Sequence, residues 1–206
     1  MSQTARIFDT HFQDYCRKIA DCALPELAGR LKIEVTEDEA RIPLFNKIYT
    51  VSGSGVVDDA GQKPDYGICV ILFRYLLNCP DRIHEDPAWV SFKDFKKASH
   101  FTNVNFFTSD TLTVLLNRFR DRPGLLEDCG LALGGWKAEE ALPYDLSLRF
   151  TALPRIDLLL LFNGSDEDFP AQCTLLFQAH AQHYLDPEAL AMTSAHLARK
   201  LTRRAG

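Results

Sequence analysis

YGICVILFRYLLN, residues 66–78, is apolar on nearly every side of a helix and carries Arg74 as its one charge. A helix of that character belongs in the centre of a folded body, not on its surface. Asp65, immediately before it, is a good N-cap. Pro80 and Pro87 bracket the loop that follows, and AWVSFKDF then places Trp89, Phe92 and Phe95 at i, i+3, i+6. That spacing predicts a helical aromatic stripe facing the core.

Upstream, Phe12, Tyr15, Cys16, Ile19 and Ala23 recur at helical spacing, so a helix is expected from about Thr10 to Ala23. Thr10 and Gln13 read as its capping box. The period then changes to two: Leu31 to Val35, Arg41 to Phe45 and Lys47 to Val51 read as three strands of an antiparallel meander. Pro43 points to an edge or a bulge in the middle strand. VSGSGVVDDAGQKPD, residues 51–65, lacks the Gly-Lys-Ser/Thr of a phosphate loop and reads as a turn.

Downstream, Ser109 or Asp110 caps a helix through Leu112, Leu115, Leu116 and Phe119. Pro123 starts a shorter one ended by Gly134-Gly135. Three late strands follow, around Leu146 to Phe150, Arg155 to Phe162 and AQCTLLF (residues 171–177), and Asp186-Pro187-Glu188 opens the last helix. The apolar run after Arg155 suits a strand covered on both faces. Strands and helices do not alternate regularly. The expectation is an α+β fold with one domain over residues 1–206. An N-terminal meander and C-terminal antiparallel strands pack with a buried central helix and peripheral helices.

The 206 residues carry a net charge of −5, with 46% hydrophobic and 25% charged residues. This is a globular composition. Acidity argues against nucleic acid as a partner, since the one dense basic stretch (Arg199, Lys200, Arg203, Arg204) suits a helix C-terminus. The longest apolar runs, Ile68 to Phe73 and Leu158 to Phe162, fall far short of the ~20 residues of a membrane span. No signal-peptide core opens the chain, so a cytoplasmic protein is expected. Its six cysteines lack C-x-x-C spacing and read as reduced, packed thiols.

Taken with ILFRYLL (residues 71–77) and WVSFKDF (residues 89–95), the segment LPRIDLLLLFNGSDEDFPAQCTLLFQAHAQHYLDPEAL (residues 153–190) resembles the DUF3786 family of anaerobic bacteria and archaea. The resemblance implies an accessory role in anaerobic metabolism, because members are sometimes fused to an iron–sulfur domain associated with corrinoid proteins. It assigns no catalytic residues, and no clustered cysteine array is present here.

His180 and His183 stand at H-x-x-H spacing, with Cys173 and the acidic turn Asp166-Glu167-Asp168 upstream. Histidines three apart can share a helix face and, with a carboxylate, hold a divalent metal. The acidic turn resembles the start of a calcium loop, but Phe169 and Pro170 stand where later ligands would follow, so it also reads as a solvated turn. Cys79, Cys129 and Cys173 are the thiols that a histidine could activate. Glu139 and Glu140 read as a solvated face. Trp136, after Gly134-Gly135, is placed to project from a loop toward a partner or flat ligand. Two functions are therefore expected. One is a non-catalytic accessory module binding a protein partner or small molecule through Trp136, Asp166, Asp168, His180 and His183. The other is a small metal-dependent enzyme on His180, His183 and the Asp166/Asp168 turn. No cofactor is specified.

Overall fold

The computed structural model describes residues 3–95, 101–139 and 142–206. Helix α1 (Gln3–Ala20) leads through a 3-10 turn (Leu24–Leu27) into the single turn α2 (Ala28–Leu31). A four-stranded antiparallel meander follows: β1 (Glu34–Val35), β2 (Glu39–Leu44), β3 (Lys47–Ser52) and β4 (Gly55–Asp58). Ala40, Ile42 and Leu44 alternate inward from β2, and Tyr49 and Val51 do so from β3, as the two-residue period of a strand requires. Pro43 lies past the end of β1, whose pairing with β2 stops at Arg41, so its missing N–H breaks no ladder there.

Helix α3 (Tyr66–Leu77) is the central segment. Eight of its residues are buried, and Asp65 caps it by accepting from Ile68 N–H at 3.1 Å. After it come β5 (Trp89–Ser91), α4 (Phe101–Phe107), a π-turn (Thr108–Leu112), α5 (Thr113–Phe119) and α6 (Pro123–Ala132). The chain ends with β6 (Trp136–Lys137), β7 (Leu146–Leu153), β8 (Ile156–Asn163), β9 (Gln172–Gln178), a 3-10 turn (Ala179–His183) and α7 (Pro187–Arg204). The second sheet has the order β5-β9-β8-β7-β6, every neighbour antiparallel. One continuous core joins both sheets to the helices, and the fold is α+β, as the element order implied. The principal neighbours of α3 are the helices α1 and α7. Phe73 sits against Phe12 and Tyr15, while Arg74 donates to Tyr15 Oη and to both carboxylate oxygens of Asp186.

Several local readings give way to tertiary pairing. Trp89 to Ser91 is a strand rather than helix, because its backbone pairs with Leu176 to Gln178 on β9. Leu31 closes α2 instead of opening a strand, with Lys32 left-handed at φ 57°. Carbonyls at that helix end accept from elsewhere: those of Gly29 and Arg30 from Arg155, and that of Leu31 from Tyr75 Oη. Residues 55–58, read as part of a turn, form β4 over a buried Val56. Neither Ser109 nor Thr10 is a cap, since helix runs through both. Glu140 lies outside the described residues.

The β2–β3 turn ties the meander to the rest. Phe45 and Asn46 both have positive φ, 48° and 62°, the geometry a two-residue hairpin needs. Phe45 N–H donates to Ala152 O at 3.0 Å, and Asn46 Nδ2 reaches Leu133 O at 3.5 Å. Gly134, itself at φ 82°, leaves the space: a Cβ there would run into the Asn46 amide. Gly134→Ala is expected to cost about 1–2 kcal/mol of stability, read as a lower urea midpoint.

Candidate outer-face binding site

Register decides which side chains share a face of the second sheet. Trp136 stands opposite Arg149, Arg149 opposite Leu159, and Leu159 opposite Leu176. Trp89 stands opposite Gln178. The chain has two tryptophans, and edge strands β5 and β6 bring both onto this one face. Helices occupy the other face. Gly130 and Gly135 lie close under Leu148 and Phe150, and Phe107 packs on Phe177. The Arg149 guanidinium lies 5.2 Å from the centre of the Trp89 ring, so its cationic plane is held across the sheet. Leu159 beneath is 2% exposed and Trp136 at the edge 39% exposed. β8 is thus covered on both faces, as its apolar run implied.

A cleft opens at each end of this face. The larger, about 470 Å³, is lined by Tyr144, Asp145, Asn163, Asp166, Phe169 and Gln172 among others. Asp166 Oδ1 accepts from Asp168 N–H at 2.9 Å and Phe169 N–H at 2.7 Å, so Asp166 closes the acidic turn and Asp168 contributes its backbone to it. The second cleft, about 300 Å³, lies between the loop before β5 and the β7–β8 hairpin, with Glu85, Asp86, Arg155, Asp157, Gln178 and His180 in its wall.

His180 forms the floor of that cleft. Its Nδ1 accepts from Asp86 N–H at 2.9 Å, and its Nε2 lies 3.1 Å from Arg155 O. Nδ1 also lies 2.8 Å from Asp86 O, so the ring joins the loop to the hairpin through both of its nitrogens. His183, exposed, stacks on His84 with ring centres 3.8 Å apart. His180→Ala should lower stability by about 2 kcal/mol through two backbone groups left unpaired. A melting temperature unchanged in that variant would contradict this stapling role.

These placements hold the residues of the expected metal set apart. Asp166 and Asp168 sit at the Gln172 end of β9 and His180 at the Gln178 end, about 20 Å apart along the strand. Among the described residues, no group of three or more His, Cys, Asp or Glu is placed to hold a metal ion. The cysteines are equally unsuited to nucleophilic work. All six are free thiols, and burial pushes Cys79 and Cys129 up and Cys173 up to about 12. They stay protonated at neutral pH. Trp136 lies on a short edge strand instead of a loop. Trp89 and Arg149 are additions that sequence reading missed, although Arg149 is the charged residue in the alternating pattern of β7.

A family model described as a domain of unknown function, DUF3786, matches residues 23–200. The chain belongs to this family. All five candidate residues, both clefts and, among the described residues, all nine strands fall inside the DUF3786 match. No curated protein and no solved structure matches the chain.

Proposed function

We propose that the chain is a non-catalytic binding module that engages a protein partner through the outer face of its five-stranded sheet. The observation supporting this is the arrival of both tryptophans on that face from opposite edges, with Arg149 between them. Tryptophan and arginine concentrate binding energy when a partner excludes water around them. Apolar leucines below and polar clefts at both ends give the core-and-rim arrangement of a recognition surface. His180, Asp166 and the thiols serve packing and hydrogen bonding, which disfavours the metal-dependent enzyme. The module is an accessory of the anaerobic metabolism that its family resemblance implies. Its six free thiols support a reducing, cytoplasmic setting.

A photo-crosslinking residue at Thr174, on the same face, tests this in cells that make the native protein. Discrete adducts are expected at Thr174 and none at Glu26, which is exposed in the 3-10 turn between α1 and α2. Equal labelling at both positions, or none at Thr174, would contradict the reading.

A further inference from the structure

The two clefts are charged alike. Asp145 and Asp166 stand in the larger one, where no lysine or arginine is in the wall among the described residues. Glu85, Asp86 and Asp157 stand in the smaller one. Arg155, the one lysine or arginine of its wall among the described residues, is already committed, donating to the carbonyls of Gly29 and Arg30 and to Glu85 Oε1. Between the clefts run about 20 Å of sheet, over whose buried Leu159 the half-buried Leu176 and Trp89 and the exposed Trp136 present the apolar surface. A partner must therefore be apolar along its middle and cationic at both ends.

Resting on the binding-module reading, we infer that this face receives an amphipathic helix of another protein, with a lysine or arginine at each end of its apolar stripe. A span of about 20 Å corresponds to about 13 helical residues. A strand would add at a sheet edge, and the edges here carry β5 and β6. A helix laid across the face repeats what the opposite face already does with α5 against β9 and α6 against β7. Charge complementarity at the two ends fixes its register and excludes acidic helices. A second copy of the chain fits poorly: its basic cluster lies at one end of α7, whose Leu190, Leu197 and Leu201 are already fully buried.

The probe is a displayed library of random 16-residue peptides selected against the full chain at low salt. The selected peptides should be rich in lysine or arginine at two positions about 11 to 13 residues apart, with apolar residues between at helical spacing. Asp145→Asn with Asp166→Asn keeps the turn acceptors while removing the charge, as do Glu85→Gln, Asp86→Asn and Asp157→Asn at the other end. Each set should weaken a selected peptide about five- to tenfold, and raised salt should do the same. Trp136→Ala should weaken it at least as much. Neutral or acidic peptides that still depend on Trp136 would overturn the basic helix and leave the face standing. Peptides indifferent to Trp136 and to both charge sets would overturn both. An empty selection, or a concentration-dependent dimer abolished by Trp136→Ala, also overturns the inference.

Discussion

Phe177→Ala is expected to lower the unfolding free energy by about 3–5 kcal/mol, the largest loss from any single change considered. Phe177 is fully buried on the inner face of β9. Three phenylalanine rings surround it: Phe92 at 6.0 Å, Phe95 at 5.5 Å and Phe107 at 6.0 Å between centres. Phe92 and Phe107 are themselves stacked at 4.6 Å. Removing the ring leaves a cavity bordered by a sheet strand, the 3-10 turn Phe92–Asp94 and α4, and these cannot all collapse into it at once. A domain of this kind commonly has a total stability of about 5–15 kcal/mol, so about a fifth or more is at stake. Urea unfolding should show a large fall in midpoint with an unchanged slope. Phe169→Ala is the contrast. That ring is 66% exposed, and its loss should change stability by less than about 0.5 kcal/mol. Comparable losses for the two variants would contradict the packing described.

Acid should destabilise the fold through His196. Burial between α7 and the Phe45 turn lowers its pKa to about 4, and Lys200, Arg199 and Arg203 on its own helix push the same way. Asp65, at the start of α3, opposes them. In the unfolded chain the ring titrates near 6.5. Between those two values the unfolded state holds the extra proton, so stability rises with pH across the window. The contribution is complete above about pH 6.5 and is lost as pH falls to about 4, in total on the order of 2–3 kcal/mol. Urea midpoints of the protein and of His196→Gln, taken at about pH 7 and about pH 4.5, measure it. The difference between the two pH values should be clearly smaller in the variant. An identical difference would show that His196 is solvated in the folded state.

The sequence-level reading succeeds where periodicity and burial agree. The run from Tyr66 to Leu77 announces its own position because no face of it is polar, and β7 to β9 announce themselves by alternation or by continuous apolarity. It fails where a long-range partner decides. Trp89 looks helical until β9 supplies a pairing edge, and Leu31 looks extended until Arg155 and Tyr75 accept the task of closing α2. The π-turn at Thr108–Leu112 has no sequence period at all, which is why Ser109 reads as a cap when it is mid-helix. The candidate site divides in the same way. Residue type alone marked Trp136, Asp166 and His180. Only the register of β5 to β9 reveals that they share one end-to-end face, and that His180 and His183 face different tasks.

The measurement closest to the central claim is the solvent exposure of the two tryptophans in Trp89→Phe and Trp136→Phe, each leaving one indole to report. An outer face open at its β6 edge predicts that Trp136, alone in Trp89→Phe, emits at long wavelength and is quenched freely by acrylamide. Trp89, half-buried beside Arg149, should be quenched more slowly. Short-wavelength emission from Trp136, resistant to quencher in the isolated chain, would mean that this surface is already occupied, and the binding assignment would fall with it.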